Sequence, residues 1–167
     1  MADETVSKIC VELGSIACQR GDYSLTYMLY NRRFAEHGSE DNLALAGSLQ
    51  KIGQCYAERG RYKQAGKFLK KALAIYRETT PVNQGILRDV LDQLADLSYK
   101  QGNFSSASQY YERAMQIEEG LEHRDQEKID NRLNQMAWLQ LRQGKIEEAR
   151  KIHGQAAKIQ TAQPRSH

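Results

Sequence analysis

Four copies of one short pattern constrain this chain more than any other feature: a long polar residue, a glycine, a polar residue, then a large apolar one. They are Arg20-Gly21-Asp22-Tyr23, Arg59-Gly60-Arg61-Tyr62, Gln101-Gly102-Asn103-Phe104 and Gln143-Gly144-Lys145-Ile146. The glycines are separated by 60−21=39, 102−60=42 and 144−102=42 residues. A glycine that must enter the left-handed region ends one helix, and the residues after it start the next, with Asp22 and Asn103 suited to cap it. Recurrence at a fixed period of a few tens of residues predicts a stack of helix-turn-helix units, four in this chain.

A true repeat also superposes its apolar positions. Upstream of each glycine, Val6/Leu45/Leu87/Ile129, Cys10/Leu49/Leu91/Leu133 and Leu13/Ile52/Leu94/Met136 fall in register. Their i, i+4, i+7 spacing makes one helical face. The next column is small, Gly14/Gly53/Ala95/Ala137. Downstream come Ala65/Ala107/Ala149, Ala72/Ala114/Ala156 and Ile75/Ile117/Ile159. Small residues recur where two helices cross closely. The first copy departs from this pattern: Thr26 and Arg33 replace the two alanines, and Tyr27, Tyr30 and Phe34 make that helix aromatic. Linkers are expected at Gly38–Asp41, Thr79–Pro81 and 120–125, with Thr80 and Pro81 as cap and first helical residue.

The best copy carries Ile52-Gly53, Tyr56, Gly60, Tyr62, Ala65 and Ala72, and the third carries Gln93-Leu94-Ala95 and Tyr111-Glu112-Arg113-Ala114. These residues resemble the tetratricopeptide (TPR) repeat, in the long, 42-residue form found in kinesin light chains. The resemblance implies an all-α fold, an α-solenoid of four helix-turn-helix repeats wound as a right-handed superhelix. The expected domain is 5–160, with repeats at 5–38, 42–79, 81–120 and 125–161 and a tail at 162–167.

Composition leaves few other classes open. Hydrophobic residues make up 40% and charged residues 27%, and 24 basic against 21 acidic side chains leave a net charge of +3, too balanced to mark a nucleic-acid or membrane-surface protein. Lys63, Lys67, Lys70 and Lys71, with Arg59 and Arg61, form one basic face without interleaved aromatics for base stacking, so nucleic acid is not expected as a partner. Three cysteines, Cys10, Cys18 and Cys55, show no C-x-x-C spacing, so neither a disulfide framework nor a zinc site is expected. Cys10 and Cys18 read as small apolar fillers. The acidic start, Met1–Glu4, has no apolar run behind it, and the expected setting is the cytoplasm, with no membrane partner. His37, His123, His153 and His167 lack ligand spacing, and the glycines of the repeats are explained as turns or packing sites. No catalytic constellation, metal or cofactor is expected, and the chain reads as a binding protein.

The resemblance further implies that the first helix of each repeat lines a concave face. The positions there outside the core columns are Lys8, Val11, Ser15 and Cys18; Gly47, Gln50, Gln54 and Ala57; Asp89, Asp92, Asp96 and Tyr99; and Asn131, Asn134, Trp138 and Leu141. Asp89, Asp92 and Asp96 fall on one helical face. Asn131, Asn134, Gln50 and Gln54 offer donors and acceptors for a peptide backbone. Trp138 and Tyr99 are candidate anchors, with burial between repeats the alternative for Trp138 and plain solvated surface the alternative for the aspartates. Chaperone-binding TPRs hold a terminal carboxylate with cations that are missing here, and the acidic set would repel the acidic peptides taken by kinesin light chains. The expected ligand is a peptide or helix of another protein with Lys or Arg beside an apolar residue. A second reading is homo-oligomerisation through the last repeat, whose final helix carries Ile152, Ala156 and Ile159 with no cap helix after it.

Overall fold

The computed structural model describes residues 12, 13, 16, 17, 20–22, 25, 28, 42–79, 81, 83–121 and 124–161. Six complete helices lie among them: α1 (Asn42–Glu58), α2 (Tyr62–Glu78), α3 (Gln84–Lys100), α4 (Phe104–Glu119), α5 (Gln126–Arg142) and α6 (Ile146–Thr161). In the first repeat, residues 12, 13, 16, 17 and 20 are helical before Gly21, and residues 25 and 28 after it. The expectations placed on Lys8, Val11, Ser15, Cys18, the Thr26–Phe34 departures and the Ala156 and Ile159 side chains lie outside the described residues.

The glycine turns form as the pattern requires. Gly21, Gly60, Gly102 and Gly144 have φ of 81°, 71°, 74° and 76°, a region that costs a residue with a Cβ but not glycine. After each glycine the next N–H donates to a carbonyl five residues back: Asp22 to Ala17 (2.8 Å), Arg61 to Tyr56 (2.9 Å), Asn103 to Ser98 (2.8 Å) and Lys145 to Gln140 (2.9 Å). That bond closes a Schellman motif and satisfies a carbonyl that the ending helix leaves without a partner. Asn103 then caps α4 by accepting from Ser106 N (3.4 Å), and Asp22 accepts from Leu25 N (3.1 Å).

Contacts divide the chain into two compact units, Met1–Asn83 and Gln84–His167. In the first, α1 packs on α2 through Leu49, Ile52 and Tyr56 against Ala65, Leu69 and Ala72, all buried. Gly53 sets how closely the helices cross. A Cβ there would stand 2.8 Å from Leu69 Cγ and 3.3 Å from the Ala65 carbonyl oxygen, so the small residue is a condition of the packing. Tyr56 stacks on Phe68 with ring centroids 5.3 Å apart.

In the second unit α3 packs on α4, α5 on α6, and α4 on α5. Leu87, Leu91, Leu94 and Ala95 are buried, as are Ile129, Leu133 and Ala137, so the predicted columns do face the core. The seam between the third and fourth repeats is closed by Leu139, buried with Ala95, Ala107 and Tyr111 and flanked by Tyr99, Phe104, Tyr110 and Met136. A second cluster joins Ile129 and Leu133 to Met115 and Ile152.

Two expectations are corrected. Helix α3 starts at Gln84 and not at Pro81, which sits in a bend; Asn83, a residue type favoured at helix starts, directly precedes it. Cys55 is disulfide-bonded. Pairing follows from which helices are neighbours, and spacing along the chain does not reveal it.

Candidate partner-binding site

The third and fourth repeats place a cleft of about 430 Å³ between α3 and α5, lined by Asp89, Asp92, Gln93, Asp96, Tyr111, Lys128, Asn131, Arg132 and Gln135. Asp89, Asp92 and Asp96 stand three or four residues apart on α3 and so share a face. Asn131, Arg132 and Gln135 come from α5, and Tyr111 reaches in from α4. The cleft thus brings together Asp89, Asp92, Asp96 and Asn131 from the predicted set.

The carboxylates are not equivalent. Arg132, whose side chain is 1% exposed, grips Asp92 with two parallel bonds, Nε to Oδ1 at 2.7 Å and Nη2 to Oδ2 at 2.6 Å. Asp89 Oδ1 accepts from Arg88 Nε (3.1 Å), Arg88 Nη2 (2.8 Å) and Lys128 Nζ (2.9 Å). Asp96 accepts from the Tyr111 hydroxyl and feels the charge of Lys100 on the same helix. An acidic face of three open carboxylates, expected from α3 alone, is therefore largely neutralised. Besides Arg88 on α3 itself, the guanidinium and ammonium that balance it come from α5, 40 and 39 residues further along the chain. Counting the lining side chains, three carboxylates face two cations and leave a charge of −1.

Behind the cleft lies a buried charge network. Glu118 on α4 is 0% exposed. Its Oε2 stands 2.9 Å from Arg88 Nη1 and 3.8 Å from Arg132 Nη1, and its Oε1 accepts from the N–H of Asp125 at 2.9 Å. Asp125 in turn caps α5, its side chain accepting from Lys128 N (3.1 Å). One carboxylate on α4 thus ties α3 to the start of α5.

These contacts set the protonation of the site. Burial would raise the Asp89 carboxyl, but hydrogen bonds from Lys128 and Arg88 outweigh it and hold the group below its usual range. Asp96 moves the other way: although the residue as a whole is exposed, partial desolvation of its carboxyl, aided by the nearby Asp92, raises it against the Tyr111 hydrogen bond and the Lys100 charge. Burial and the Asp96 carboxylate likewise raise the Tyr111 hydroxyl, which stays protonated as the donor. A carboxyl raised on folding opposes stability while ionised, and the penalty disappears as pH falls through its folded pKa. Asp96→Asn is therefore expected to match or exceed the native chain in thermal stability near neutral pH. That advantage should shrink as pH falls through the raised pKa of Asp96, where the aspartate itself takes up a proton. A constant difference across that range, measured by thermal unfolding, would show that burial of the charge is not felt.

The other candidates divide between surface and packing. Asn131, Asn134, Trp138 and Leu141 are all exposed on α5, Trp138 at 56% and Leu141 at 48%. Burial of Trp138 between repeats is not what the structure shows. Tyr99 is partly buried and packs on Phe104, ring centroids 5.7 Å apart, so it serves the seam more than the surface. Gln50, in the first unit, accepts from the Tyr76 hydroxyl (3.2 Å), and Gln54 is exposed. The basic residues of α2 and the preceding turn are exposed. Among the described residues no group of side chains could hold a metal ion, and no helix is long and apolar enough to cross a membrane.

Sequence reasoning missed Gln93, Tyr111, Lys128, Arg132 and Gln135 in the cleft, and Arg88 and Glu118 behind it. One signal was there. Ser48, Val90 and Arg132 share a repeat position, and all three are buried. A charged residue in a column that holds Ser and Val elsewhere must find a buried partner.

The tetratricopeptide repeat profile matches residues 7–78 and 87–162. The chain belongs to the tetratricopeptide repeat family. Among solved structures it is similar to the TPR-like repeats of a kinesin light chain-type protein from Podosopora anserina, with a TM-score of 0.72, 19% identity and coverage of 96% of this chain and 79% of that one. BtubC (BKLC) from P. vanneervenii gives a TM-score of 0.62 at 21% identity, covering 92% of this chain; the chain spans 56% of the length of that protein. The N-terminal domain of stress-induced protein-1 from C. elegans gives 0.61 at 18% identity, covering 81% of this chain and 98% of that domain. At these identities the likeness is one of fold. No curated protein matches the sequence significantly. Tetratricopeptide repeats generally mediate protein–protein interactions and typically act as non-enzymatic scaffolds.

Proposed function

We propose that the chain is an adaptor, with a repeat domain spanning 5–160, that binds an extended or helical segment of a partner protein on the α3–α5 face of its third and fourth repeats. The observation that carries this reading is Trp138. It is a large apolar side chain, more than half exposed, on the helix whose Asn131 lines the cleft. Exposed aromatic side chains beside polar groups are the usual energetic centres of protein interfaces. Asn131, Asn134 and Gln135 would take the partner's backbone amides, Trp138 and Leu141 its apolar residue, and Asp96 with Asp89 a Lys or Arg.

The chain's only tryptophan provides its own reporter. Peptides selected from a display library against the intact protein should carry a basic residue near an apolar one and change the emission of Trp138. Trp138→Ala is expected to weaken them by at least tenfold, the loss of a hot-spot side chain worth ~2 kcal/mol. Asp96→Lys should weaken them as well. Asp92 is not a suitable target, since removing it leaves the buried Arg132 without its bidentate partner. Selected peptides that bind equally well to both variants, with unchanged Trp138 emission, would place the contact elsewhere.

A further inference from the structure

Lys128 and Arg132 both balance carboxylates of the cleft, yet the structure holds them in different ways. Arg132 is 1% exposed and bidentate on Asp92, with Met115 Sδ (3.5 Å) and Glu118 against the same guanidinium. It is a fixed part of the floor. Lys128 is 39% exposed and makes a single hydrogen bond to Asp89, with Asp125 Oδ2 more distant at 3.9 Å. The bond goes to Asp89 Oδ1, which already accepts twice from Arg88. Three donors share one oxygen, while Oδ2 has room for more. The ammonium is the third and most accessible of the three.

The same wall carries an acceptor with no donor. Gln93 lines the cleft, and its Oε1, shielded from solvent, receives no hydrogen bond. A buried acceptor left without a donor costs free energy until a donor reaches it. Asp96, exposed and bonded to the Tyr111 hydroxyl, is a further acceptor on the same wall as Asp89.

We infer that Lys128 is an exchangeable internal counter-ion, standing where a partner's cationic side chain docks, and that it sets the strength and selectivity with which the cleft takes that side chain. The inference rests on the binding face proposed above. An incoming group must displace the Lys128 ammonium from Asp89 and give a donor to Gln93. A planar guanidinium, with several N–H groups in a fixed fork, can do both at once, whereas a second ammonium replaces like with like. The cleft should therefore prefer arginine to lysine, and Lys128 is the residue that makes the difference.

The test uses the full chain and three small probes: N-acetyl-arginine methylamide, N-acetyl-lysine methylamide and the neutral N-acetyl-citrulline methylamide. Binding is read from the Asn131 and Gln135 side-chain amide resonances, with the display-selected peptides as a parallel ligand. Native protein should bind the arginine probe best and the citrulline probe least. Lys128→Met should tighten arginine binding by about two- to fivefold, the range expected for removing a half-exposed competing ion pair, and should narrow the arginine-to-lysine ratio. Lys128→Arg keeps a cation on Asp89 and should give no gain. Asp89 keeps Arg88 in every variant, so the fold is expected to survive. If the native chain binds the probes and Lys128→Met binds them no better, Lys128 is not a competitor and the binding face stands. If the selected peptides bind but the probes give no shift in either protein, the cleft is not the cation site and the inference falls alone. If neither peptides nor probes bind, the binding face itself is wrong and the inference falls with it.

Discussion

Glu118→Leu is expected to be the most damaging single charged-residue change in the second unit, lowering its unfolding free energy by about 3–5 kcal/mol. The carboxylate is fully buried and touches two guanidinium groups and a backbone N–H. Leucine fills much of the same space but leaves Arg88, at 9% side-chain exposure, and Arg132, at 1%, facing apolar carbon. It also removes the acceptor for Asp125 N, so the start of α5 loses a tie to α4. Each arginine retains one aspartate, Asp89 for Arg88 and Asp92 for Arg132, which favours the lower half of the range. A companion variant separates charge from shape. Replacing Arg88, Glu118 and Arg132 together by Met, Leu and Met removes the buried charges as a set, and should recover stability to within about 1 kcal/mol of the native chain. Urea unfolding followed by circular dichroism measures both. A Glu118→Leu protein as stable as the native one would mean that water reaches the network. A triple variant no better than the single one would mean that the geometry of the bonds, and not the burial of charge, is what matters.

The network also shows where the sequence stops being legible. The turns were readable because their requirement is local: a left-handed residue between two helices accepts glycine almost alone, and all four glycines adopt it. The columns were readable because the second, third and fourth repeats bury the same face, as Leu49, Leu91 and Leu133 do, whereas Leu13 of the first repeat is exposed. Of the groove positions read by subtraction, Gln54, Asp96, Asn131, Asn134, Trp138 and Leu141 are exposed, whereas Gln50, Asp89, Asp92 and Tyr99 are half-buried. What failed was the charge of the site. Asp89, Asp92 and Asp96 form an open acidic face only if their partners are overlooked: Arg88 on the same helix bonds Asp89, and Lys128 and Arg132 belong to the next repeat. A period reveals what repeats share, whereas Arg88, Glu118 and Arg132 are what this pair of repeats does not share with the others. The partner of a buried charge is fixed by three-dimensional neighbourhood, and one sequence carries no record of it.

At the other side of the same seam the packing is apolar, and Leu139→Ala is expected to cost about 2–5 kcal/mol, toward the top of that range. Leu139 is 0% exposed and occupies the space between Ala95 and Ala107, whose methyl groups are too short to fill the void it would leave. Tyr111, its third neighbour, is held by its hydroxyl on Asp96 and is not free to swing into the cavity. The larger consequence concerns cooperativity. In a repeat array each unit is stabilised by its own hairpin and by the interface with its neighbour, so a defect at one interface lets the units unfold separately. Leu139→Ala should therefore lower the denaturant m-value as well as the midpoint, and hydrogen exchange should show α5 and α6 losing protection before α3 and α4. Glu118→Leu would act on the same seam through α4 and α5. The two losses should add if the charged and apolar contacts are independent, and fall short of additive if either one alone already separates the fourth repeat from the third. A Leu139→Ala protein with an unchanged m-value and a loss below about 1 kcal/mol would mean that this seam is not where the third and fourth repeats are joined.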